Sequence, residues 1–176
     1  MTTGDRFAAP GVARWNGDYG VSYGDGGTAL VLGRERGPFS LLAVASTSEP
    51  HLEEMHRGSE QFLKLSAAGL RGLVKTALDE AGLLPGEISA VALPRFGSDR
   101  IRPVYLPTVT SQFATNVQVL ETGRHTGHLG AGDAAAHLAD LHSAKSVEPG
   151  SIALLISGGT GFSWSCLIVR VEDAPQ

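Results

Sequence analysis

A chain of 176 residues can bury one sizeable core, and 42% hydrophobic against 18% charged residues sets it apart from disordered polypeptides. A formal charge of -4 with no basic cluster gives little to neutralise phosphates, which excludes nucleic acid as an expected partner. The longest apolar runs, 152–156 and 166–169, are too short to span a bilayer, and residues 1–14 contain no apolar signal core. No membrane is therefore expected. A single cysteine forms no internal disulfide and suits a cytoplasmic location.

In chain order, residues 1–17 read as a lead-in or linker, and 18–176 as one domain. Gly24-Asp25-Gly26-Gly27 signals a turn in which Asp25 bonds local amides. It lacks the Lys-Ser/Thr of a phosphate loop and precedes a strand. Apolar strands are predicted at 28–33 and 39–45, and the two are placed to form a hairpin. After a polar loop at 50–58, Leu70, Leu73, Val74, Ala77, Leu78 and Ala81 recur at helical spacing. Ser66 is the expected N-cap of this helix, and Gly82 with Pro85 the stop. Strands follow at 88–93 and 116–120, separated by a segment in which Pro103 and Pro107 interrupt any helix. A glycine-rich run at 121–133 opens a helix over 134–143. Strands at 151–157 and 162–171 then flank the turn Gly158-Gly159-Thr160-Gly161. Helices alternating with apolar strands imply a layered α/β domain.

Two segments carry candidate chemistry. In Thr126-Gly127-His128-Leu129-Gly130-Ala131-Gly132-Asp133 the glycines permit close approach of backbone to a bound group. His128 has the chemistry of a general base near neutral pH. Asp133 reads either as a helix N-cap or as the carboxylate that orients the ring, and its two oxygens can serve both roles. In the second segment, amides of the turn at 158–161 either stabilise an oxyanion or merely close a hairpin. His125, His128 and Asp133 match no common zinc spacing, and no metal is expected. Cys166, inside an apolar run, reads as core rather than as a nucleophile.

Four stretches in order complete the picture: Tyr23 to Leu32 (YGDGGTALVL), Val91-Ala92-Leu93-Pro94, Gly127 to Asp133 (GHLGAGD), and Gly159 to Trp164 (GTGFSW). Together they resemble the C-terminal half of ketoacyl-acyl-carrier-protein synthase III. This resemblance implies the C-terminal half of a thiolase fold: a mixed five-stranded sheet with helices on its faces, built as a βαβαβαββ unit. The nucleophile, Cys or Ser, then lies in the other half of the fold. The sequence departs from the condensing members at two places. Arg95 stands where they carry histidine, and His128 where they carry asparagine. An always-charged arginine is no substitute for a neutral donor and base.

The altered pattern resembles the acyltransferase-like branch found in antibiotic and polyketide pathways. That likeness makes His128 the general base and Asp133 its orienting carboxylate. Thr160, with Gly159 and Gly161, would line the oxyanion and acyl site, and Arg95, Leu129 and Gly130 would shape the substrate pocket. It further implies a split acyltransferase with no tightly bound cofactor. The acyl group would arrive as a phosphopantetheine thioester on a carrier protein or coenzyme A. An N-terminal half-thiolase subunit would supply the nucleophile in a hetero-oligomer. The alternatives are a non-catalytic half-thiolase that binds a carrier protein or stabilises a partner, and an atypical condensing ketosynthase. A third reading makes the chain the C-terminal part of a longer protein, against which the initiating Met1 counts.

Overall fold

The structure is a computed structural model that describes residues 1–8, 11, 14, 21–56, 58–97, 104–113, 116–120, 122–145, 147–159 and 162–173. Its elements are β1 (Thr2–Asp5), β2 (Gly26–Ala29), β3 (Phe39–Ser48), α1 (Glu60–Ala81), β4 (Ile88–Ala92), α2 (Leu106–Thr110), β5 (Gln118–Leu120), α3 (Asp133–Ala144), β6 (Ile152–Gly159) and β7 (Ser163–Val171). From β3 onward this is the expected βαβαβαββ unit.

Five strands form one mixed sheet in the order β3-β7-β6-β4-β5. β4 runs parallel to both β5 and β6, whereas β7 is antiparallel to β6 and β3. Burial follows the pleat, because successive side chains point to opposite faces. Along β6, Ile152, Leu154 and Ile156 join Leu70, Leu73, Val74 and Ala77 of α1 in one core. Ala153 and Leu155 face the other way and join Leu138 and Leu141 of α3 in a second. The sheet is therefore the middle of three layers. Cys166 lies fully buried in the first core, and burial alone pushes its thiol up to about 12, which leaves it protonated and inert.

Several expectations are corrected. Residues 28–33 and 39–45 do not pair. Instead β2 pairs antiparallel with β1, Thr3 opposite Thr28, in a separate two-stranded sheet. The short polar β1 has almost no apolar alternation to announce it, and its partner lies far along the chain. Helix α1 begins about two turns before the predicted start. Ser59 is its N-cap and accepts a hydrogen bond from the Phe62 N–H at 3.2 Å, while Ser66 is buried inside the helix. The helix stops where expected: Gly82 takes the left-handed conformation at φ 65°, and Leu83 N–H closes onto the Leu78 carbonyl at 3.0 Å. Pro107 sits in the first turn of α2, where its missing N–H costs nothing, so a short helix survives the proline.

Leu154 is wholly buried at the centre of the sheet. Leu154→Ala should lower the unfolding free energy by about 2–5 kcal/mol, measured by urea denaturation.

Candidate active site

The loops that leave the carboxyl ends of β4, β5 and β6 converge on one side of the sheet. Pro94 and Arg95 follow β4, residues 122–132 follow β5, and Gly159 ends β6. In open α/β sheets this is the side on which ligands bind. A cleft of ≈ 1470 Å³ runs from there across β3 and β7 to Phe39, with His128, Gly130 and Gly159 among its lining residues.

His128 is held from three directions. Its backbone bridges to Tyr23: His128 N–H donates to the Ser22 carbonyl at 2.8 Å, and Gly24 N–H donates to the His128 carbonyl at 2.9 Å. Its ring lies between Phe96, edge-on at 5.1 Å between centroids, and Tyr23 at 5.6 Å. Nδ1 lies 2.7 Å from Asp133 Oδ2. An ionised carboxylate can only accept, so Nδ1 carries the hydrogen, and in the neutral ring Nε2 then carries the lone pair. The side chain is nearly buried, yet it borders the cleft.

Asp133 is completely buried. It is the first residue of α3 rather than its N-cap, which is Gly132, and the positive end of the helix favours its charge. Oδ1 accepts the Leu129 N–H at 2.8 Å while Oδ2 faces the ring. One carboxylate thus fixes both the imidazole and the backbone beside it.

The glycines of the loop let it pack closely on the protein itself. Gly127, at φ 69°, lies against the Ser22 carbonyl, and Gly130, at φ 58°, lies against Asp5. Asp5 also accepts the Ala131 N–H at 3.2 Å. The turn at 24–27 is the complementary shelf: Gly24 abuts the Thr126 carbonyl, and Gly26 abuts the Leu129 side chain. Asp25 does not bond local amides. It accepts the N–H of Phe7 at 2.8 Å and pairs with Arg14 at 2.6 Å, and that guanidinium holds its carboxyl below the usual range.

Of the other expected site residues, Leu129 is buried on the glycine shelf and Arg95 is turned into the protein, bonded to Thr126 and Asp140. Neither borders the cleft. Gly159 is exposed there and pairs with Ser163 across the β6–β7 ladder, whereas Thr160 and Gly161 lie outside the described residues. Among the described residues no group of three or more His, Cys, Asp or Glu side chains is placed to hold a metal ion. Sequence reasoning missed Phe96, Tyr23 and His137. Tyr23 stands beside a recognised turn, but its contact with His128 spans about a hundred residues and has no local signature.

His137 lies one turn beyond Asp133 on α3, wholly buried, and among the described residues neither ring nitrogen makes a well-formed hydrogen bond, the Ile156 backbone being a polar neighbour. Burial first, then the Arg95 charge, pushes it down to about 4, against the opposing pull of Asp133 and Asp140.

Comparison with known proteins defines the family. The family model described as 3-oxoacyl-[acyl-carrier-protein] synthase III C terminal matches residues 78–171, more than half of the chain. The chain belongs to that family. A mycobacterial beta-ketoacyl-[acyl-carrier-protein] synthase III from Mycobacterium ulcerans (strain Agy99) is 32% identical over 98 residues, covering 56% of this chain and 28% of the relative. The solved structure of ChlB3, described as an acyltransferase, is 30% identical at TM-score 0.81, covering 97% of this chain and 57% of that one. The synthase III of Aquifex aeolicus VF5 shares the fold at TM-score 0.64 and 20% identity, covering 84% of this chain and 50% of that one. The chain therefore spans about half the length of the solved structures it resembles. Its sheet and helices correspond to the C-terminal half of the thiolase fold.

Because His137 is neutral when folded and takes up a proton when unfolded, the folded state loses stability as pH falls from 6.5 toward 4. The loss attributable to this residue should be roughly 3 kcal/mol, and His137→Leu should remove that part of the slope in denaturation series across this window.

Proposed function

We propose that this chain is the C-terminal subunit of a split, synthase III-like acyltransferase, with His128 as general base and Asp133 as the carboxylate that orients it. The observation that carries the reading is the buried Asp133–His128 contact of 2.7 Å, with the ring at the edge of the cleft. The arrangement of base and orienting acid is that of a catalytic triad awaiting its nucleophile. The likeness to ChlB3 at 30% identity supports acyl transfer over condensation. Arg95 supports it too, since its guanidinium is committed to Asp140 and Thr126.

In this reading a partner polypeptide with the N-terminal half-fold supplies a Cys or Ser nucleophile. An acyl thioester of phosphopantetheine, on a carrier protein or coenzyme A, is attacked at its carbonyl. The thiol leaves, and an acyl-enzyme remains on the partner. Amides at Gly159 and its neighbours steady the tetrahedral oxyanion. His128 Nε2 then takes the proton of an acceptor hydroxyl, amine or thiol as that group attacks the acyl carbon. It passes the proton to the departing nucleophile, which restores both subunits.

The open side of the sheet supports a covering partner. Val31 and Leu32 are exposed, and Leu41 and Val44 of β3 are about half exposed, all bordering the same cleft. A cytoplasmic setting suits the substrates, and no helix among the described residues is long and apolar enough to cross a membrane.

His128→Ala in the assembled complex should lower acyl transfer by about 10²–10⁴-fold while the acyl-enzyme builds up on the partner, seen by intact-mass analysis of quenched reactions. Unchanged transfer would remove His128 from the chemistry and leave the chain a binding role.

A further inference from the structure

The stripe of α3 that carries Asp133 continues through His137 to Asp140, at i, i+4 and i+7. Both acids of that stripe reach the loop that delivers His128, at opposite ends. Asp133 takes its carboxyl end, through the ring and the Leu129 N–H. Asp140 takes its amino end indirectly. Asp140 Oδ2 accepts Arg95 Nη2–H at 2.5 Å, and Arg95 Nη1–H donates to Thr126 Oγ1 at 2.7 Å. The Arg95 side chain is only 1% exposed, and its stem lies so close to Gly123 that a Cβ there would come within 2.7 Å of Cγ. Gly123, at φ 79°, accepts the N–H groups of Thr126 and Gly127 through its carbonyl. The guanidinium thus spans from helix to loop two residues before the catalytic histidine. His137, uncharged between the two acids, competes with neither His128 nor Arg95 for a carboxylate.

We propose that Arg95 is a positioning residue for His128: its forked guanidinium ties the loop at Thr126 to Asp140 of α3, so that the helix bearing Asp133 also fixes where His128 sits. The inference rests on the reading of His128 as the base. Arginine suits the task because its planar fork bonds two acceptors in fixed directions, whereas a lysine ammonium is a point charge on a flexible stem. Its charge is spent on the strut, so it acts through the loop rather than on a substrate.

The test follows the His128 Nδ1–H proton by NMR of the full chain with labelled histidine. Held by Asp133, that proton should exchange slowly with water. Thr126→Val and Asp140→Ala each cut the strut at a solvent-accessible end, and each should speed exchange about tenfold while the backbone amides of α3 keep their protection. Arg95→Lys should not restore the slow exchange. Exchange within about twofold of wild type in both end-cutting variants would overturn the inference. Two further measurements separate it from the wider reading. If the strut variants speed exchange and also lower kcat with KM unchanged in the assembled complex, both stand. If they speed exchange but the complex transfers no acyl group even with the native chain, positioning stands and acyl transfer falls.

Discussion

Everything at this site hangs on one buried carboxylate. An ionised side chain wholly out of water is tolerated only when its oxygens are satisfied, and Asp133 satisfies them with one ring N–H and one backbone N–H of the same loop. That double attachment turns a helix N-terminus into a jig for His128. It also explains the glycines around it. The loop must come close enough to α3 to reach the carboxylate, and it does so by lying directly on the 22–26 segment and on Asp5 at positions where a side chain would collide. The two-stranded β1–β2 sheet is the backing plate for this arrangement, since Thr3 and Thr28, bonded to each other at 2.7 Å, pack against Gly132.

The fold was largely legible because its main elements carry strong apolar signals. Apolar runs marked β3, β4, β6 and β7, helical spacing marked α1, and Gly82 marked its end. What escaped had no period. β1 is a polar four-residue strand whose partner lies more than twenty residues away, so the hairpin was assigned to the wrong neighbour. The N-cap of α1 was put at Ser66 because the apolar stripe becomes dense only there. The first turn, from Glu60, holds Phe62 as its one buried apolar anchor and is set by Ser59. The dyad itself illustrates the limit of local reading. A spacing of five residues is compatible with the His128–Asp133 contact but does not require it. Family resemblance raised it to an expectation, and the 2.7 Å distance makes it a structural fact. Arg95 was placed at a substrate pocket because its departure from the family pattern drew attention, while its partners Thr126 and Asp140, 31 and 45 residues on, left no trace in the sequence.

The aromatic surround of His128 has a chemical consequence. Phe96 reaches the ring because Gly158 leaves room for it. Phe96 in turn leans edge-on against Tyr105, whose hydroxyl accepts the Trp164 indole N–H at 2.9 Å. These rings pack on the imidazole and restrict its rotation at the border of the cleft. In the proposed reaction the half-fold would supply base and orienting acid, and the Cys166 thiol, sealed in the core, would not serve as the nucleophile. The proposed acyl-transfer centre would take its nucleophile from a second component.

The most direct test of that claim is native mass spectrometry of this protein isolated from the cells that produce it. A stoichiometric complex with a second chain bearing the N-terminal half-fold and a Cys or Ser nucleophile is the predicted result. A bare monomer or a homodimer, with no such partner at any concentration, would contradict the split-enzyme account.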